Sequence, residues 1–595
     1  MLSAACLGEQ EAAAPFAASA PRPYFIDPDG RFLLAWHHPA ARPGKRHASV
    51  VLCPPLGFDY ACAYRAWRLL ADRIAALGFD AFRFDYDGTG ESAGNPEEPD
   101  RPGAWLRSVD AVIDAAQSTT ASGAIALVGF DVGAMLAIQA AARRGGVDRL
   151  VLWSAFSHGR ACLRALRALE CFGREEHVPE VAAQPDIHAA GYPVTAATAA
   201  TLARWDIDAI ATRPASDVLL VDRDDRPDDA GTAVRLETLG SRVSRVRVSG
   251  TADMLAQPVF SKVPLHALDA ICDWLNEWRP RREVAARVSR RPLPSAGIAR
   301  GEGFVERLVR FGPSNRLFGS VTAPPGAQVP RSCVVLLTTG TEHRVGPSRM
   351  YVPLARAWAA AGRYVLRYDL GGVGDSAPAP GADENVVYPA GAIDDLREAL
   401  ALVEREAPGR RVIVVGLCSG GWHALQAARV GLRLDAVAAI NSPLFVREGP
   451  RGAAWLDERK DFIRYSRALR DPAKWTKALK GRLSYRHFAQ LAAASAGRAL
   501  ARPLRQVLRR QPGGLAGELE EISVRRISTL LVFSRGDSGL QYFELCTPAS
   551  WRRGRGREAF APVVIEAAGH TFRPPAAQRA LCQVLTDFVA REEQQ

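Results

Sequence analysis

The sequence predicts an α/β protein of two tandem units, each a mostly parallel β-sheet with helices on both faces. Three observations predict it. Short apolar runs bounded by glycine, proline or aspartate alternate with amphipathic segments of helical period, the pattern of strands covered by a helix on either side. The alternation occurs twice, before residue 280 and again after residue 300. The loops between elements also keep register: aspartate–glycine loops open at Asp85 and Asp369, 284 residues apart, and glycine-bracketed turns are centred on Asp131 and Cys418, 287 apart.

In the first unit, Ala48-Ser49-Val50-Val51-Leu52-Cys53 reads as a buried strand ending in the tight loop Pro54-Pro55-Leu56-Gly57. A helix from about Tyr64 to Leu77 is closed by Gly78, and the strand Asp80 to Asp85 runs into Tyr86-Asp87-Gly88-Thr89-Gly90-Glu91-Ser92. A helix from about Trp105 to Gln117 leads to the strand Ala124 to Val128 and the turn Gly129-Phe130-Asp131-Val132-Gly133. The second unit repeats this order. Cys333 to Leu337 precedes Thr338-Thr339-Gly340-Thr341, a helix spans about Val352 to Ala361, and Tyr364 to Asp369 meets Leu370-Gly371-Gly372-Val373-Gly374-Asp375-Ser376. A helix from about Ile393 to Glu404 precedes the Cys418 strand. The domain reading is a disordered lead-in over 1–22, a first unit over 23–278, a Pro- and Arg-rich linker over 279–300, and a second unit over 301–595. Within the second unit, 445–521 departs from strand–helix alternation and reads as a helical cap.

Composition bounds the function. A chain of 595 residues is too long for one core. No run of about 18 apolar residues is present, so no membrane-spanning helix is expected. The N-terminus has no basic residue ahead of its mildly apolar part, which makes it a poor signal peptide. Ten cysteines are scattered without a Cys-x-x-Cys pair. That pattern points to reduced thiols in the cytoplasm and away from a metal site. The net charge of +12 is a modest bias toward anionic partners. From Arg451 to Arg510 sixteen Lys or Arg face four Asp or Glu. Such a face suits an acyl carrier protein, coenzyme A or weak peripheral contact with an acidic membrane. No DNA- or RNA-binding motif accompanies the charge, so nucleic acid is not expected.

The chemistry centres on Val412-Ile413-Val414-Val415-Gly416-Leu417-Cys418-Ser419-Gly420-Gly421, followed by the helical Trp422 to Ala428. A buried strand, a sharp Gly-x-Cys-x-Gly turn and a helix form the context of a nucleophile elbow, with sulfur in the nucleophile's place. Ser419 is the rival nucleophile but lacks the glycine two residues before it. Both halves resemble the α/β-hydrolase superfamily, in its serine-aminopeptidase-like or exosortase-associated branch. The residues that carry the resemblance are Cys53 to Gly57 and Asp85 to Ser92 in the first unit, and Asp369 to Ser376 and Gly416 to Gly420 in the second.

The resemblance implies a site for the second unit. Its order of nucleophile, acid and histidine maps onto Cys418, onto Asp537 after the strand Ser528 to Phe533, and onto His570 after the strand Pro562 to Glu566. Glu544 is the fallback acid. Oxyanion donors are implied at the Ser419 amide and near Gly340 or Thr341, and His343 and Arg344 become substrate-binding candidates. In the first unit the elbow carries Asp131, with Asp224 or Asp225 at the acid position and no histidine after the last strand; His266 lies in the following helix. This unit therefore reads as degenerate. The expected function is a Cys-dependent hydrolase of esters or thioesters that needs no cofactor. An acyltransferase using the same cysteine and a non-catalytic binding module are the alternatives.

Overall fold

The computed structural model describes residues 20–594 apart from 42–47, 121–122, 171–185, 227–229, 281–296, 327, 445–514 and 553–559. The lead-in, the linker and the cap of the sequence reading fall largely outside these residues.

The first sheet contains β1 (Arg22–Ile26), β2 (Leu33–His38), β3 (Ala48–Cys53), β4 (Asp80–Phe84), β5 (Ala124–Phe130) and β6 (Arg149–Trp153), then β9 (Asp217–Arg223) and β10 (Arg242–Val248). A separate hairpin pairs β7 (Ile187–Ala189) with β8 (Tyr192–Val194). The second sheet contains β11 (Ile298–Gly301), β12 (Phe304–Phe311), β13 (Leu317–Ala323), β14 (Ser332–Leu337), β15 (Tyr364–Asp369), β16 (Arg411–Leu417), β17 (Ala436–Ile440), β18 (Ser528–Ser534) and β19 (Val563–Ile565).

The orders match: β1-β2-β4-β3-β5-β6-β9-β10 in the first sheet, and β12-β13-β15-β14-β16-β17-β18-β19 in the second, with β11 added at its edge. From β4 and β15 onward each sheet is parallel. The central strands β3, β14 and β17 are buried along their whole length, which is why they read as unbroken apolar runs. β10 carries Arg242, Arg245 and Arg247 on largely exposed positions at the sheet edge, where charge discourages edge-to-edge pairing.

The antiparallel entry strands β1, β2 and β11 to β13 were not anticipated from the sequence, because β2 and β12 bury ionisable groups among their apolar ones. On β2, His37 pairs with Asp80 at 2.7 Å and His38 with Asp72 at 2.8 Å. On β12, buried Glu306 accepts from Arg356 and Arg367. The helix expected from Tyr64 begins earlier, spanning Gly57–Ala76.

The two units meet across a pseudo-twofold junction. Arg83 on β4 and Arg367 on β15 occupy equivalent positions, as do Glu91 and Asp375. Each arginine crosses to the other unit's carboxylate. Arg83 pairs with Asp375, and Arg367 Nη1 lies 2.8 Å from Glu91 Oε2. The loops that present these acids are built alike. The Glu91 amide donates to Asp85 and the Asp375 amide to Asp369, both at 2.9 Å. An apolar cluster of Phe25, Phe32, Leu34 and Trp36 with Ala299, Leu308 and Phe318 also spans the junction.

Candidate active site

Cys418 sits between β16 and the helix Ser419–Arg429 at φ 56°, ψ −117°. This positive φ is unusual for a residue with a Cβ, and it is the strained turn that an elbow needs. The flanking glycines make the turn possible. A Cβ on Gly416 would lie 2.2 Å from the Gly420 carbonyl carbon, and one on Gly420 would lie 2.7 Å from the Thr338 oxygen.

Asp537 follows β18 and caps the helix Ser538–Cys546, accepting the Gly539 amide at 2.7 Å through Oδ1. Its second oxygen, Oδ2, lies 2.6 Å from His570 Nδ1. One carboxylate thus spends one oxygen on its own backbone and aims the other at the imidazole. Glu544, the fallback acid, is exposed on the same helix.

A residue absent from the sequence reading brings the elbow and the histidine loop together. The Cys418 amide donates to the Ile440 carbonyl at 2.8 Å. The next residue, Asn441, is fully buried at φ 42° and donates to the His570 carbonyl at 2.7 Å. It also accepts the Ser534 amide at 2.8 Å, which ties the end of β18 to the same point. The only signal in the sequence was an asparagine just past a strand, a residue that tolerates left-handed backbone.

The oxyanion side differs from expectation at one position. The Gly340 amide donates to the Ser419 hydroxyl at 2.8 Å, so it is engaged within the loop. The amides of Thr341 and Ser419 have no acceptor among the described residues. Ser419 therefore contributes a hydroxyl that pins the loop. Glu342 follows Thr341; burial pushes its carboxyl up to about 7, against the opposing pull of Arg573.

His343 and Arg344 are not placed at Cys418. Both are buried at the junction with the first unit: the His343 ring stacks on Tyr64 at 4.0 Å and the Arg344 guanidinium is held by carboxylates. Their sequence neighbourhood suggested substrate contact, but the chain turns away after Thr341.

The first unit keeps the scaffold and inverts its charges. Asp131 holds an elbow conformation of φ 55°, ψ −118°, matching Cys418. Asp224 is exposed and Asp225 is paired with Arg223 at 2.6 Å, so neither faces the elbow. By strand register, the position that holds Asp537 in the second unit holds Arg226 in the first. Its Nη1 lies 3.6 Å from Asp131 Oδ1. Burial raises both the Asp131 and Asp59 carboxyls, and the nearby Asp131 charge adds to the rise at Asp59.

One buried group makes stability pH-dependent. His423, on the elbow helix, is 1% exposed, and its ring nitrogens have no hydrogen-bond partner among the described residues. Burial pushes it down to about 3. The folded form therefore keeps it neutral, while the unfolded chain takes up a proton below about 6.5. Its contribution is complete above that pH and is lost as pH falls toward 3. His423→Leu is expected to reduce the loss of unfolding free energy between pH 6.5 and pH 5 by ~2 kcal/mol, read from denaturant titrations at the two pH values. Equal losses in variant and wild type would contradict this.

Comparison with known proteins agrees with the fold. Residues 44–190 match the family model described as serine aminopeptidase, S33. Residues 334–583 match that of the alpha/beta hydrolase family. The chain is a tandem α/β-hydrolase. Solved structures similar to parts of it include Est1E from Butyrivibrio proteoclasticus with ferulic acid bound, at 19% identity over 42% of this chain and 96% of that one, TM-score 0.32. DcsB in complex with its substrate analogue matches at 17% identity over 43% and 99%, TM-score 0.33. Proline iminopeptidase from Mycobacterium smegmatis matches at 14% identity over 43% and 98%, TM-score 0.30. No curated protein matches.

Proposed function

We propose that the second unit is a cysteine-dependent acyl hydrolase acting on esters or thioesters, and that the first unit has no turnover of its own. The observation that carries this reading is the 2.6 Å contact of His570 Nδ1 with Asp537, in a loop tied through Asn441 to the strained Cys418 elbow. A thiol needs a base and an orienting group in this relation to act as a nucleophile.

In the proposed cycle the His570 Nε2 takes the Cys418 proton as sulfur attacks the substrate carbonyl carbon. The carbonyl oxygen becomes an oxyanion facing the Ser419 and Thr341 amides. Collapse expels the alcohol or thiol, which leaves with the proton from His570, and an acyl-thioester remains on Cys418. His570 then deprotonates a water that attacks this acyl group, and the carboxylic acid departs as the thiol is restored. Asp537 keeps the imidazole in one orientation throughout. Substrates presented on an acyl carrier protein or coenzyme A fit the net positive charge of the chain. In the first unit, the Asp131 carboxyl faces a guanidinium where a histidine relay would need an acid, which supports the loss of catalysis there.

Brief incubation with an activated acyl thioester and an acid quench is expected to leave one acyl group on the peptide containing Cys418. No adduct, together with turnover that iodoacetamide does not affect, would end this reading.

A further inference from the structure

We propose that the first unit positions the oxyanion loop of the second, with Tyr64 and Glu91 gripping His343 and Arg344. The inference rests on the acyl-transfer reading of Cys418 above.

The loop from Thr338 to Arg344 has little slack. The Glu342 amide donates to the Thr339 carbonyl at 3.0 Å, and the Arg344 amide to Asp369 Oδ1 at 2.6 Å. Its near end is fixed inside its own unit, where Ser419 accepts the Gly340 amide. Its far end is held by both units. Arg344 is fully buried, with Nε 2.9 Å from Glu91 Oε1 and Nη1 2.7 Å from Asp369. Tyr64 lies flat against His343, with ring centroids 4.0 Å apart and planes at 18°, and donates to Asp375 Oδ2 at 2.6 Å. The Thr341 amide lies between these two anchors, two residues before His343.

The histidine side of the site leans on the same unit. Gln578 donates to the Gly191 carbonyl at the tip of the β7–β8 hairpin at 3.3 Å. The Arg573 guanidinium, three residues past His570, lies 5.3 Å over the Phe58 ring. Both loops that frame Cys418 therefore take part of their support from the first unit. This gives a unit without turnover of its own a direct part in the reaction, because misplacing a transition-state donor by about 1 Å costs up to about 100-fold in rate.

Neutralising Glu91 leaves Arg344 with Asp369 and Asp375, so the loop can move without the fold being lost. The test uses the full chain with Glu91→Gln and, as a second route, Tyr64→Leu, which removes the stacking ring. Three quantities are read: amide hydrogen exchange over residues 338–344, kcat and KM with an activated thioester, and the rate of Cys418 alkylation by iodoacetamide. The expected result is exchange about tenfold faster or more, kcat lower by about 10- to 100-fold with KM within about twofold, and alkylation within about twofold of wild type. Unchanged exchange overturns the inference, as does faster exchange with unchanged kcat, or alkylation that falls in step with kcat. A wild-type chain that turns over no thioester would overturn the acyl-transfer reading instead, and exchange still decides the positioning claim.

Discussion

Cys418→Ala is expected to lower thioester turnover by about 10⁴-fold or more and to leave KM nearly unchanged. The nucleophile is the group that forms and breaks the covalent bond, so its loss removes a whole reaction path rather than one favourable contact. The variant would keep the Ser419 and Thr341 amides, which sets a floor above the rate in water. His570→Ala should come close to the same floor, and the double variant should add little beyond either single change, because the two groups act as a unit. Fold integrity is expected to survive, since Cys418 is only partly buried and its φ of 56° is a strained position that alanine fills with a smaller side chain. Steady-state kinetics with an activated thioester, alongside a thermal melt, provide the check. A Cys418→Ala chain with a tenth or more of wild-type turnover would remove the assignment, as would additive losses in the double variant.

Asp375→Ala is expected to destabilise the protein by ~3–5 kcal/mol. Its carboxylate is 1% exposed as a side chain and serves three donors from both units: Arg83, Tyr64 and Arg344. Burial acts to raise its pKa, but Arg83 and Arg344 outweigh that and hold it well below the usual carboxylate range. Removing it leaves two guanidinium groups out of water with one carboxylate fewer between them, and that uncompensated charge makes the loss large. The surface pair Arg535–Glu566, with side chains 53% and 64% exposed, is the natural control. Glu566→Gln is expected to leave the denaturant midpoint close to that of the wild type, because exposed pairs are screened by water and salt. Denaturant midpoints for the two variants, measured side by side, test the contrast. An Asp375→Ala chain as stable as the Glu566→Gln chain would show that the junction does not hold the units together.

How much of this was legible in the sequence differs from element to element. The parallel strands around Val51, Val128, Val335 and Val414 were plain, because burial on both faces turns a strand into an unbroken apolar run. The internal duplication was plain for the same reason, since the loops between strands kept their spacing. The entry strands were hidden: His37, His38 and Glu306 interrupt their apolar runs, and only the folded chain shows the partners that make the burial of these groups tolerable. At the candidate site, strand ends let the sequence point to Cys418, Asp537 and His570, and in the structure Asp537 and His570 meet. Asn441 was not legible, since its role depends on two hydrogen bonds to residues 93 and 129 positions away. His343 and Arg344 were misread because proximity in sequence to the oxyanion loop says nothing about which way the chain turns next. The same limit explains Asp224, which shares a strand end with Arg226 but points into solvent while Arg226 approaches Asp131.

The crossed pairs Arg83–Asp375 and Arg367–Glu91 have the form of an isologous contact, the kind that two identical chains make with each other. Here both copies lie on one polypeptide. Mass action therefore does not govern the contact: the partner is always present at the effective concentration set by the tether, and dilution does not separate it. In a homodimer every substitution at such a surface strikes twice. In this chain it strikes once, and the two sides are free to differ, as glutamate at 91 and aspartate at 375 already do.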